Sequence, residues 1–147
     1  MKVVILRGIS GSGKSTYASK HYPNAVVCSA DNFFQEGRYY NFDVTKLAEA
    51  HNECMSRFIT LVSKGETQGI SCVVVDNTNI HRWEYENYAK LAAAFKCEVE
   101  IVEFVPQTIE AVKRCIRRNV HRVPAEIIAR MAVEFEPSPN ATVVKII

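Results

Sequence analysis

The chain has 147 residues, 48% of them hydrophobic, which suits one compact domain over residues 1–147 and leaves no room for a second core. With 18 Lys and Arg against 16 Asp and Glu the formal charge is +2, so global balance neither demands nor excludes a nucleic-acid partner, and local clusters must decide. The 5 cysteines are scattered, odd in number and never in a C-x-x-C pair, which argues against a disulfide framework or a zinc site. A reduced, cytoplasmic setting is expected, and no apolar stretch approaches membrane-spanning length.

Lys2-Val3-Val4-Ile5-Leu6 is a short apolar, β-branched run that predicts a first strand. It passes directly into Gly8-Ile9-Ser10-Gly11-Ser12-Gly13-Lys14-Ser15-Thr16, which fits the P-loop pattern G-x-x-x-x-G-K-S/T at every required position. Gly8, Gly11 and Gly13 let the backbone curl so that successive N–H groups, with those of Ser10, Ser12 and Thr16, point inward at phosphate oxygens. Lys14 is expected to reach the β- and γ-phosphates of ATP and the Ser15 hydroxyl to ligate Mg²⁺. The helix that follows adds its positive N-terminal end to the same anion site and should stop near Tyr22-Pro23-Asn24.

Ala25-Val26-Val27-Cys28-Ser29 predicts a second, fully buried strand. Asp31 sits just past its carboxyl end, where open α/β sheets bind ligands, and can face the phosphate loop as the group that meets a phosphoryl acceptor. Phe33 to Phe42 is aromatic and without clean periodicity, so an irregular segment or short helix over the site is expected. Asp43 has the form of an N-cap for a helix from Val44 to about Lys64, ended by Gly65, with His51 on its apolar stripe as a core histidine.

Ile70 to Asp76 is the strongest strand in the chain, and Asp76 at its end has the form of a Walker B carboxylate that holds Mg²⁺. Among Asn77, Thr78 and Asn79, some side chains should cap the next helix and others touch substrate. No Glu follows Asp76 and no N-K-x-D motif appears, which weakens the motor and GTPase readings. His81 to Phe95 predicts a helix with Arg82 and Trp83 in its first turn, Trp83 being expected to pack rather than stack on a base. Cys97 to Val105 alternates apolar residues with Glu98, Glu100 and Glu103 and predicts a strand nearer the sheet edge.

From Gln107 a helix is expected to turn Ile109, Val112 and Ile116 inward, and its later half, with Lys113, Arg114, Arg117, Arg118, His121 and Arg122, is the one charge cluster of note. A solvated helix end would explain the cluster; an arginine-bearing lid that closes on a transferring phosphoryl group explains it better. A further helix from Pro124 to about Glu134 and a strand from Ala141 to Ile147 complete the chain. Strands alternating with helices predict an α/β fold, a five-stranded parallel sheet with helices on both faces.

Gly8 to Thr16, Ser29-Ala30-Asp31-Asn32-Phe33, Asp76-Asn77-Thr78-Asn79 and Arg118-Asn119-Val120-His121-Arg122-Val123-Pro124 together resemble the 5′-hydroxyl polynucleotide kinase family, the phage-type repair kinases and their relatives, over nearly the whole length. The resemblance implies a P-loop kinase in which Asp31 is the general base toward the 5′-hydroxyl of DNA or RNA and Arg122 contacts the donor phosphates, with Arg118 nearby. Two positions depart from that family. Phe34 stands where the phage-type kinases place an acceptor-phosphate arginine, leaving Arg38 and Arg82 as the nearest substitutes, and Asn77 stands in place of an Asp.

Both departures touch the acceptor side, with Asn77, Asn79, Arg38 and Arg82 as its candidate contacts, so phosphoryl transfer is better supported than the polynucleotide acceptor. The alternative is a small-molecule kinase acting on a nucleoside, sugar or sugar-nucleotide, which would share every donor-side residue. A nucleotide-binding switch would have little need for Asp31 or for the arginines. The sequence leaves open DNA against RNA, the preferred nucleotide donor, oligomeric state and any phosphatase or ligase partner.

Overall fold

A strand covered on both faces needs apolar residues at odd and even positions alike, and in the computed structural model, which describes all 147 residues, that strand is the middle of the sheet. The elements in order are β1 (Lys2–Gly8), α1 (Lys14–His21), β2 (Val26–Cys28), a hairpin of β3 (Gln35–Glu36) and β4 (Tyr39–Tyr40), α2 (Leu47–Lys64), β5 (Cys72–Asp76), α3 (Arg82–Ala94), β6 (Glu98–Pro106), α4 (Ile109–Arg118), α5 (Ala125–Glu134) and β7 (Thr142–Ile146). The main sheet runs β2-β5-β1-β6-β7 with every pair parallel. This is the α/β architecture the alternating pattern predicts.

Period-2 alternation divides the core between the two faces. Val3 and Ile5 join Val73 and Val75 under Ala50, Cys54, Phe58 and Val62 of α2 and Tyr85, Tyr88 and Ala92 of α3. Val4, Leu6, Val74, Val102 and Phe104 face the other way, against Ala18 of α1. A third cluster, Ile9, Ile80, Cys115 and Ile128, packs the phosphate-loop region against α4 and α5. No helix is long and apolar enough to cross a membrane.

Several local expectations are corrected. Asp43 does cap, accepting from Thr45 N–H at 3.0 Å, but the turn it starts is a 3₁₀ turn (Val44–Lys46), and α2 begins only at Leu47. His51 is exposed: the buried stripe runs Ala50, Cys54, Phe58, Val62, and a neighbour one residue on is rotated about 100° away from it. α2 does end at Lys64 with Gly65 as its cap, as the sequence predicts, but the backbone at Gly65 stays right-handed: a 3₁₀ turn (Gly65–Gln68) continues, and Gly69 takes the positive φ. Ile109 is 76% exposed, α4 burying Ala111 and Cys115 instead, and Trp83 is 72% exposed with its ring stacked on His81.

β6 is not the edge; it is paired on both sides and β7 takes the edge. Two of its glutamates, which suggested solvent, have partners. Glu100 meets Lys2 at 2.7 Å and the Tyr22 hydroxyl at 3.0 Å. Glu103 is fully buried against Arg7, its cross-strand register partner. Arg7 also donates to the carbonyls of Asn79, Ile80 and Glu136, and its guanidinium lies over the rings of Tyr85 and Phe135. One side chain thus ties β1, the segment after β5, α3 and the chain beyond α5 together at the carboxyl end of the sheet.

Candidate active site

β1 delivers its chain at the carboxyl end of the sheet, and the nine residues Gly8 to Thr16 turn there into α1. Within the loop the Ser12 N–H bonds back to Ile9 O at 3.2 Å, and in α1 the first to do so is that of Tyr17, to Gly13 O at 3.0 Å, so those of Lys14, Ser15 and Thr16 have no protein acceptor and remain for an anion. Gly11 has φ +77, and a Cβ added there would lie 2.0 Å from the Cys115 carbonyl oxygen of α4. Gly13 has φ +94, but nothing lies within 4 Å of its added Cβ. Gly11→Ala should therefore cost about 2–4 kcal/mol in a denaturant titration, from left-handed strain plus the clash, and Gly13→Ala only about 1–2 kcal/mol from strain. Equal losses would show that α4 yields freely.

Lys14 is 8% exposed and donates from Nζ to the carbonyls of Gly8 and Ile9 at 3.0 and 3.1 Å. Burial lowers its pKa from the usual lysine value, while Asp76 and Asp31 act in the opposite sense. Ser12 Oγ is buried and has no hydrogen-bond partner. Such an orphan in a phosphate loop fits a site completed by a ligand. Ser15 Oγ donates to Asp76 Oδ2 at 2.6 Å, Asp76 being the last residue of β5 and level with Leu6 of β1.

Asp31 follows β2 on a 3₁₀ turn (Ala30–Phe34) capped by Ser29, whose Oγ accepts from the Asp31 N–H at 3.2 Å. Both carboxylate oxygens are engaged. Tyr40 OH donates to Oδ1 at 2.6 Å, and His121 Nδ1 lies 3.2 Å from Oδ2. The Tyr40 and His121 rings stack at 4.4 Å with 22° between planes. Burial raises the Asp31 pKa, but the His121 and Tyr40 hydrogen bonds and the charges of His121 and Lys14 outweigh it and hold the carboxyl below its ordinary value. Asp31 is therefore an anion at neutral pH.

Ser12, Lys14, Ser15, Asp76, Asp31 and His121 line one cavity of about 630 Å³, together with Ser10, Gly11, Gly13, Thr16, Asn77 and Arg118. Asn77 is also a strut: its Oδ1 accepts from Ala30 N–H at 2.8 Å and its Nδ2 faces Cys54 Sγ at 3.7 Å, which fixes the turn that bears Asp31. Asn79 neither caps α3 nor reaches the cavity; its side chain is 2% exposed and donates to Leu6 O at 2.9 Å, while its carbonyl accepts from Arg7. Arg38, Arg82 and Arg122 are exposed and do not line the cavity.

The loop after α4 explains the different fates of His121 and Arg122. Asn119 Oδ1 accepts from His121 N–H at 3.2 Å and its Nδ2 donates to Val123 O at 2.7 Å, closing a tight turn in which Arg122 adopts φ 56. His121 is thereby presented inward and Arg122 outward. Neither Tyr40 nor His121 stands out in the sequence as a partner of Asp31, because no local spacing relates a hairpin tyrosine to a loop 81 residues later in this chain of 147.

The oxygen-only pair of Ser15 and Asp76 is the donor set a hard divalent cation takes, and no cluster of three or more His, Cys, Asp or Glu offers an all-protein cage. Mg²⁺ fits, since it is held through one or two side chains plus substrate phosphates and water.

An AAA domain family model matches residues 3–138. The chain belongs to the AAA domain family. A relative in this comparison is NEDD4-binding protein 2 of Homo sapiens, 34% identical over 137 residues, which covers 91% of this chain and only 8% of that protein. Among solved structures, a gluconokinase from Sinorhizobium meliloti 1021 matches with a TM-score of 0.62 at 16% identity, over 99% of this chain and 82% of that one. The Mycobacterium tuberculosis APS kinase CysC, in complex with AMPPNP and APS, matches at 0.63 and 19% identity, over 98% and 87%. This AAA domain therefore has the P-loop kinase fold.

Proposed function

We propose that this protein is a polynucleotide 5′-hydroxyl kinase that transfers the γ-phosphoryl group of ATP to the 5′-hydroxyl of DNA or RNA. The observation that carries the reading is Asp31: an ionised carboxylate on the wall of the same cavity as the phosphate loop, held by Tyr40 and His121. A switch that only binds nucleotide needs no such group.

In this reading the loop N–H groups of Lys14, Ser15 and Thr16 bind the phosphates, and Lys14 Nζ exchanges its two carbonyl acceptors for β- and γ-phosphoryl oxygens. Ser15 and Asp76 would hold Mg²⁺, which supplies charge neutralisation at the phosphates. Asp31 orients the acceptor hydroxyl and takes its proton as the oxygen bonds to the γ-phosphorus and the bond to the β–γ bridging oxygen breaks. ADP and a 5′-phosphate end are the products. Arg118, which borders the cavity, and Arg122, once its turn rearranges, would add positive charge to the leaving phosphates.

Transfer of labelled γ-phosphate from ATP to a panel of 5′-hydroxyl oligonucleotides, nucleosides and sugars tests this, with the wild type and Asp31→Ala side by side. Oligonucleotides should be labelled, and Asp31→Ala should lower turnover at least about a hundredfold while ATP still binds. The position of Arg38 and Arg82 outside the cavity favours a second reading, a small-molecule kinase. Asp31-dependent labelling of a small alcohol with no labelled oligonucleotide would establish that second reading and end the first.

A further inference from the structure

An acceptor ending in a 5′-hydroxyl brings a phosphodiester close to the reacting oxygen, and a carboxylate base beside it adds a second negative charge. Something cationic must stand between them. Arg38 and Arg82 lie outside the cavity. His121 does line the cavity.

The ring of His121 is held on two sides. Nδ1 faces Asp31 Oδ2, one ring face lies on Tyr40, and Tyr40 is itself anchored through its hydroxyl to Asp31 Oδ1. The Asn119 turn fixes the main chain beneath it. Nε2 is the one polar atom of the ring with no protein partner. The hydrogen bond to Asp31 raises the imidazole pKa above its usual value, burial lowers it, and the charges of Asp31 and Asp76 add to the rise while Lys14 opposes it. Tyr40 also faces the ring, and Arg118 and Arg122 flank it, exposed, on its own segment.

We infer that His121 is the acceptor-side anion contact: an imidazolium clamped by Asp31 and Tyr40 that donates its Nε2–H to the phosphodiester 3′ to the acceptor hydroxyl. Tyr40 is a positioning residue that sets the angle of both ring and carboxylate. The inference rests on the polynucleotide reading of Asp31 above.

Two 5′-hydroxyl oligonucleotides separate the possibilities, one with an ordinary phosphodiester at the first linkage and one with a neutral methylphosphonate there. In the 147-residue chain, His121→Gln should raise the KM for the phosphodiester acceptor at least about tenfold more than the KM for the methylphosphonate acceptor, because only the first loses the Nε2–H contact while any slackening of Asp31 is shared by both. Tyr40→Phe keeps the stacked ring and loses the anchor, so it should raise the same KM by a smaller factor.

A proton held above its usual pKa is present at low pH and lost as pH rises through that value. The wild type should therefore lose kcat/KM on the alkaline side with the phosphodiester acceptor and not with the methylphosphonate. That comparison needs no variant to fold. If His121→Gln affects both acceptors equally, the ring serves the transferring phosphoryl group or the structure alone, and the assignment is overturned; identical wild-type pH profiles overturn it too. Asp31-dependent labelling of oligonucleotides in those cases leaves the kinase reading standing, whereas failure to label any oligonucleotide removes both.

Discussion

Lys14→Ala is expected to lower turnover by at least about a hundredfold with little change in melting temperature. Lys14 is the only cation whose side chain is buried among the phosphate-loop carbonyls, with Gly8 O and Ile9 O as its acceptors. Lys14 lines the cavity, so in the variant water can enter the space its side chain leaves and the fold loses little. The transferring phosphoryl group loses more, because a preorganised cation in a site shielded from water is worth about 3–4 kcal/mol to a transition state that spreads charge over phosphoryl oxygens. The measurement is kcat at saturating ATP and acceptor, with binding of a non-hydrolysable ATP analogue and thermal melting as controls. Turnover close to wild type would mean that the loop does not hold the donor.

The second large effect is on stability, at a pair remote from the loop's chemistry. Glu103→Gln leaves Arg7 charged and buried, its partner replaced by a neutral amide, and should cost about 3–5 kcal/mol. Arg7 is fully buried and Glu103 is 1% exposed, so solvent cannot screen the orphaned charge. Glu103 Oε1 also accepts from Ser138 N–H at 2.6 Å, a bond that an amide can keep through its remaining oxygen, so the loss measures chiefly the missing charge. The melting temperature should fall by roughly 10–20 °C. Arg7 anchors the chain after α5 through Glu136 O, and α5 packs with α4, so the loop bearing His121 should gain mobility before global unfolding, visible as faster amide exchange at Asn119 to Val123. A loss below about 1 kcal/mol would show that the three carbonyl acceptors of Arg7 suffice without the carboxylate.

Local chemistry made much of the molecule legible. The phosphate loop could be read because its glycines, lysine and serine lie within nine residues, and the covering of the sheet on both faces because β1 and β5 are continuous apolar runs. Asp31 and Asp76 were visible as carboxylates just at or past strand ends, where any parallel α/β sheet opens its crevice. Composition and spacing determine these features because each depends on neighbours in sequence. What needed the tertiary structure depends on neighbours in space. Only the β1–β6 register makes Arg7 and Glu103 a pair, so a strand that looked half-solvated is an inner one. Only the Asn119 turn sends His121 inward and Arg122 outward, although both belong to one basic cluster. Of Asn77 and Asn79, two residues apart and both buried, only Asn77 reaches the cavity, because the chain at Asn79 turns through φ 48 and commits its amide to Leu6. A side chain's direction in an irregular loop is set by which backbone groups need partners, and those partners lie on other elements.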